Sequence, residues 1–245
     1  MRWQIINASY GFLLRRLKLT HSLPTGITVR IASFADWSIY NDVFVDGEYD
    51  APIRMAFSKA DGKIRILDLG ANVGLFLKRV LHIRRSEFPQ IAVEIICVEG
   101  APETFAILQC ETPTLLPSES VELLHGLAGK RSGHAFLTRN AFHAMTKLAR
   151  NNGNEGIRVE FVDLSKATQH WENIDLLKCD IEGAEQMVFE NYGDLLLKVE
   201  IGVCEFHLYC TDRTSCLRIA KDKGLTAQQT IYANQHVSVD ILVRK

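Results

Sequence analysis

Residues 63–76 read KIRILDLGANVGLF, and the fold follows from how this stretch is parsed. Residues 64–67 have β-type character and run into Asp68; a glycine-containing turn comes next, and residues 73–80 place apolar side chains at helical spacing. A strand, a tight loop and a helix in that order open an α/β unit of the ligand-binding kind. Further apolar segments at 91–98, 121–124, 174–180 and 199–208 are expected to add strands to the same sheet.

The loop chemistry narrows the ligand. A dinucleotide fingerprint needs G-x-G-x-x-G, with the second glycine bare so that the backbone can approach a pyrophosphate. Here the loop is Gly70, Ala71, Asn72, Val73, Gly74, and Asn72 fills the place of the bare glycine. What remains is a helix start with free N–H groups, suited to one carboxylate, with Asp68 beside it to accept from an ammonium. The strand at 91–98 ends in Glu99, where an acid is placed to accept from both ribose hydroxyls. Carboxylate site, ammonium acceptor and ribose acceptor together describe S-adenosylmethionine. The competing explanation is that the glycines only close a turn and Glu99 is a solvated strand end.

A chain of 245 residues, 47% hydrophobic, can bury one sizeable core. With 28 basic and 29 acidic residues the net charge is -1, so no global field points to nucleic acid or an anionic membrane. Lys78, Arg79, Arg84 and Arg85 fall at helical spacing between apolar residues and read as a solvated helix face. Six cysteines without a CxxC pair give no zinc or redox motif, and Cys97, Cys179 and Cys204 sit in apolar strands as small buried hydrophobes, which fits a cytoplasmic protein. No run approaches the ~20 apolar residues that span a bilayer. The N-terminal WQIINASYGFLLRRLKL has an apolar face followed by cations and is expected to pack on the core as a helix, making membrane association an unfavoured alternative.

Taken in order, residues 1–57 form a leader of helix and strand, and residues 58–245 the main domain. In the leader, 21–26 is a break, 27–31 a strand, and Asp36 caps a short helix through Val43. Tyr49, just ahead of the first core strand, can cover the ligand or simply pack. Pro102 starts the helix PETFAILQC, where its missing N–H is not needed. The segment after the third strand, Gly126, Leu127 and Ala128, is positioned to meet the adenine, with Gly100 in the loop opposite; His125 is expected to pack. Residues 134–138 form an extra β segment, and 139–156 an irregular insertion suited to substrate recognition. Thr211 or Asp212 caps a helix that stops at Gly224, and 230–233 with 237–243 close the chain as an antiparallel hairpin.

Three acids, Asp180, Glu182 and Glu185, cluster where the fourth strand meets its helix. Asp180 ends that strand and points to the crevice where a sulfonium would lie, while Glu182 and Glu185 occupy the first helical turn, where the helix dipole favours negative charge. For methyl transfer to an alcohol the protein has to align the reactants and remove a proton. Asp180 is therefore assigned to positioning, Glu182 to a substrate hydrogen bond, and His207, on the face of Glu205, to the base. A divalent metal on Asp180 and Glu182 is another route to a deprotonated hydroxyl, but no metal site is assigned, because acids in one turn are common.

These pieces resemble the FkbM family of S-adenosylmethionine-dependent methyltransferases. The likeness rests on ILDLGANVGLF, VEGAPETFAIL, IDLLKCDIEGAE and VCEFH, in the family's order across roughly residues 40–210. It implies a class I, Rossmann-like methyltransferase sheet, mostly parallel, acting on hydroxyls of sugars, polyketides or other small metabolites. By position it carries cofactor binding onto Gly70, Asn72, Gly74 and Glu99, and an active-site location onto Asp180 and Glu182. Gly100 stands where the family often has proline, and the following helix ends in CET without the usual asparagine. The acceptor is thus expected to be a small-molecule or glycan hydroxyl, with no nucleic-acid partner. A non-catalytic nucleoside-binding module with a protein partner is the alternative, and a nicotinamide-dependent dehydrogenase, opposed by Asn72, a third.

Overall fold

The computed structural model describes residues 19–138, 147–148 and 156–245. The N-terminal helix expected before Leu19 and most of the insertion at 139–156 lie outside the described residues.

A seven-stranded sheet forms the centre. Its core is parallel: β3 (Lys63–Leu69), β4 (Ala92–Glu99), β5 (Glu119–His125), β9 (Ile174–Cys179) and β10 (Val199–His207). Two antiparallel strands, β11 (Leu225–Ala233) and β12 (Val237–Arg244), complete the order β11-β12-β10-β9-β3-β4-β5. The chain runs from β3 outward to β4 and β5, then returns to build β9 and β10 on the other side, so the order switches between β3 and β9. Crevices for ligands open at the carboxyl ends of strands at such a switch. Two further sheets flank it: the hairpin β1 (Leu19–Ser22) with β2 (Thr28–Ile31), and the order β7-β6-β8 of β6 (His134–Thr138), β7 (Lys147–Leu148) and β8 (Ile157–Glu160).

Both sheet faces are covered, and this is why the parallel strands read as near-continuous apolar runs. Along β3, Ile64 and Ile66 face one core and Leu67 and Leu69 the other. The first core is packed by α1 (Phe34–Tyr40) and the π-helical turn Asn41–Val45 at its margin, by α2 (Asp50–Lys59), α3 (Leu75–Glu87) and α4 (Pro102–Glu111). The second is packed by α5 (Leu164–Ala167), α6 (Glu185–Asn191), α7 (Gly193–Leu196) and α8 (Arg213–Asp222). Leu23, Ile27, Ile53 and Phe57 share the first core with Ile64 and Leu77, so the leader is built into the main domain, and the division expected at 57/58 falls inside α2.

Several local expectations are corrected. Leu19–Ser22, expected to end a helix and begin a break, is strand β1, because Thr20 and His21 pair with Arg30 and Val29. Ser33, not Asp36, caps α1; Asp36 is the third helical residue, and its carboxylate accepts from the Ser33 N–H. Pro102 opens α4 and Asp212 caps α8 as expected. The basic residues of α3 are not a solvated face. Lys78 reaches Glu111 at 3.0 Å, Arg85 grips Glu119 through two bonds of 2.8 and 2.6 Å, and Arg84 donates to Ile91 O, Pro89 O and Ser118 Oγ. Arg79 forms two bonds of 2.6 Å with Asp50, tying α3 to α2.

Candidate active site

The cleft lies at the carboxyl ends of β3, β4, β5 and β9. Of the residues assigned to cofactor binding, Gly70, Asn72, Glu99, Gly100, Gly126 and Leu127 line it, together with Asp180 and Glu182. Three do not. Ala71 faces an adjoining cavity, Gly74 caps α3 in the left-handed region at φ 82°, and Asp68 is fully buried beneath the loop.

The loop is held from inside the protein. Gly70 and Ala71 donate to Val98 O, Asn72 donates to Glu99 Oε2 at 2.9 Å, Val73 donates to Asn72 Oδ1 and Gly74 to Ala71 O. The free N–H groups expected at this turn are therefore engaged, and α3 starts at Leu75, two residues later than the spacing suggested. Gly70 has φ 79°, and a Cβ there would enter the shell of the Asp180 carbonyl oxygen. Only glycine allows β3 and β9 to deliver their loops so close together.

Glu99 spans the mouth of this loop. Its other oxygen accepts from Ala101 N at 2.8 Å, so the carboxylate is oriented by two backbone donors and retains lone pairs for a ligand. Burial pushes its pKa up against the opposing pull of those two N–H groups.

Below the cleft is a cation that sequence reasoning did not place. Lys178, 4% exposed and one residue before the end of β9, donates to Gly70 O at 2.6 Å and lies 3.5 Å from both Asp68 and Asp180. Burial opposes its charge, and Asp68, Asp180 and Glu205 outweigh burial and raise its pKa. Asp68 thus sits against Lys178, a different neighbour from the ligand ammonium expected for it. A lysine inside an apolar strand was the available signal, since such a charge requires a buried partner.

The acidic turn separates into distinct roles. Glu182 precedes α6 in a left-handed conformation with φ 55°, so it stands outside the first helical turn. Glu185 does open α6 but is fully buried; it accepts from Gly183 N at 2.9 Å, Thr211 Oγ1 at 2.7 Å and His207 Nδ1 at 2.9 Å. Burial raises the Glu185 pKa, and the His207 contact with the other donors more than reverses it, leaving the group below its ordinary value. For His207, burial acts downward, while the bond and charge of Glu185, then Glu182 and Asp180, lift it to about 9. The imidazole is consequently held charged at neutral pH, with Nε2 at 3.3 Å from Glu182 and 3.6 Å from Glu205.

The adjoining cavity shares Asn72, Asp180 and Glu182 with the cleft and adds Asp42, Glu48, Tyr49, Lys178 and Glu205. Burial, then the Asp180 charge, pushes Glu205 up to about 8; burial, then Asp42 and Asp180, pushes Glu48 up to about 7. Neither acid was assigned from sequence. Asp180, Glu205 and His207 each present one donor atom within 4.8 Å of the others, close enough for a shared cation or proton. His125 lies on the rim, exposed, 3.2 Å from Gly100 O and against the Phe105 ring.

The Methyltransferase FkbM domain matches residues 68–217, more than half of the chain. Among solved structures, the METTL16 MTase domain aligns with a TM-score of 0.52 at 7% identity, covering 96% of this chain and 90% of that one. TrmK of M. capricolum in complex with S-adenosylhomocysteine aligns at 0.44 and 10% identity, over 79% and 67% of the two chains. TYW2 of M. jannaschii in complex with AdoMet aligns at 0.41 and 14% identity, over 92% and 86%. No curated protein matches the chain in sequence. The overlap with the METTL16 domain shows a shared methyltransferase sheet.

Proposed function

The chain belongs to the methyltransferase FkbM domain family, and from that premise we propose that it transfers the methyl group of S-adenosylmethionine to a hydroxyl of a small metabolite, sugar or glycan. The observation that carries the reading is Glu99, oriented by Asn72 N and Ala101 N beside the glycine turn, at the switch in strand order. A carboxylate so placed accepts from a ribose diol, and the cleft offers apolar side chains of Val98, Ala101, Leu127 and Leu137 against which an adenine can pack. When bound, the cofactor supplies a methyl group on a sulfonium that departs as a neutral thioether.

The residues of the chain then have to orient a hydroxyl and take its proton. Asp180, on the boundary of cleft and cavity, and Glu182 position the acceptor. His207, held as an imidazolium by Glu185, has no lone pair to accept a proton at neutral pH. We therefore move the base from His207 to Glu205, whose pKa of about 8 suits proton transfer near physiological pH. His207 steadies the negative charge that develops beside it.

The carboxylates around the cavity disfavour a phosphate backbone, which supports a small acceptor over nucleic acid. We take residues 58–245 as carrying the cofactor cleft, with the described part of the leader packed into the same core, and six unpaired cysteines suit the cytoplasm. No helix among the described residues is long and apolar enough to cross a membrane. The test is binding of S-adenosylhomocysteine by calorimetry, followed by transfer of a labelled methyl group to a panel of alcohols and sugars. Binding with label recovered as an ether supports the reading; a protein that ignores the nucleoside defeats it.

A further inference from the structure

The acceptor cavity is more acidic than a neutral hydroxyl requires. Asp42 from the π-helical turn, Glu48 from the loop before α2, Asp180 and Glu182 after β9, and Glu205 from β10 all line it. Lys178, the cation among its lining residues, is already committed to Gly70 O, Asp68 and Asp180, and His207 nearby bonds Glu185 through Nδ1 and faces Glu182 and Glu205 through Nε2, which leaves Asp42 and Glu48 without an ion pair among the described residues. Like charges brought together in a partly buried space repel, and they are relieved either by binding protons or by binding a cation.

An independent feature points to a ligand in this space. Tyr49 is 7% exposed and lines the cavity, yet among the described residues no hydrogen bond reaches its hydroxyl. After burial, the charges of Asp180, Glu48 and Glu205 are what most oppose its ionisation, so the phenol faces the acids. Glu48 likewise keeps a buried Oε1 that no hydrogen bond among the described residues satisfies. Tyr49 and Phe76 meet edge to face at 5.2 Å, leaving aromatic surface beside these oxygens. A phenol oxygen, an unpartnered carboxylate oxygen and aromatic surface form the acceptor set that receives an ammonium group.

We propose that the methyl acceptor carries a protonated amine next to its reactive hydroxyl, as in an amino alcohol or amino sugar, and that Glu48 and Tyr49 select it. This rests on the methyltransferase reading above. The cofactor brings one net positive charge to the boundary at Asp180 and His207 faces Glu182 and Glu205, which leaves Asp42 and Glu48 for the acceptor's ammonium. Glu205 takes the hydroxyl proton while the ammonium stays with Glu48 and Tyr49, so the amine nitrogen keeps its protons and is not the nucleophile.

The experiment uses the full chain saturated with S-adenosylhomocysteine and titrates matched pairs, glucosamine against glucose and ethanolamine against ethylene glycol, by calorimetry. The charged member of each pair is expected to bind at least about tenfold more tightly, the size of one hydrogen bond to a charged group. Glu48→Gln is expected to erase most of that preference, and Tyr49→Phe to reduce it, with both variants still binding S-adenosylhomocysteine. Equal affinity within pairs, no heat from either amine, or a preference that survives Glu48→Gln overturns the proposal while the cofactor arm leaves the methyltransferase reading in place. Mg2+ or Mn2+ alone binding at the site and blocking the amines overturns it in favour of a metal. Failure to bind S-adenosylhomocysteine removes both readings.

Discussion

Glu185→Gln tests the inner support of the site. The wild-type carboxylate is fully buried and receives His207 Nδ1 at 2.9 Å, and with that partner His207 titrates at about 9, against 6.5 for an ordinary histidine. A histidine whose folded pKa is raised stabilises the fold most below its unfolded pKa, and the contribution fades as pH climbs through the folded one. The difference between 6.5 and about 9 corresponds to about 3.4 kcal/mol at low pH and about 2.6 kcal/mol at pH 7, vanishing near pH 9.5. Without the carboxylate, burial of His207 is opposed only by the weaker charges of Glu182 and Asp180, so its pKa falls and most of this stabilisation is lost. Urea unfolding of both proteins from pH 6 to 10 is expected to give a gap of about 2–2.6 kcal/mol at pH 7 that closes toward pH 9.5. Glu205 and Glu48, whose pKa values are raised to about 8 and about 7, lose stability across the same window in both proteins, and the comparison cancels them to first order. A gap that stays constant with pH refutes the charged His207–Glu185 pair.

Three other outcomes are expected. Glu99→Ala should weaken S-adenosylhomocysteine binding by about 10–100-fold in calorimetry, since it removes a charged acceptor and releases Asn72 N and Ala101 N. The methyl-transfer rate should rise about tenfold per pH unit below pH ~7 and level off above pH ~9 as Glu205 ionises, and Glu205→Gln should abolish that rise. Lys178→Met should lose about 3–5 kcal/mol in denaturant unfolding, because Asp68 is left buried without its cation.

Much of the architecture was readable because its causes are local. The run from Ile64 to Gly74 announces a strand and a turn, and Glu99 follows at the end of the next strand, since two apolar segments and the glycines between them admit few other arrangements. What failed to register came from partners far away in sequence. Arg84 and Arg85 look like a wet helix face until Glu119, more than thirty residues on, is seen beneath them. Glu185 sits where a helix dipole suffices to explain it, and only the fold brings His207 to its oxygen. Glu48 and Glu205 reach one cavity from opposite ends of the chain, a meeting that periodicity does not encode. The start of α3 was misjudged for another reason: Gly74 in the left-handed region extends the turn by two residues, and spacing alone cannot separate that from a first helical turn.

The outer strand β11 breaks register with β12 twice, between Ala227 and Gln229 and between Thr230 and Tyr232. Such irregularities spoil the straight row of amide donors and carbonyls on which a neighbouring molecule would stack, and Gln228 and Gln229 are exposed along the same margin. That border of the molecule is thereby protected against open-ended fibrous growth, and a straightened, apolar version of it is the variant in which clumping should first be seen.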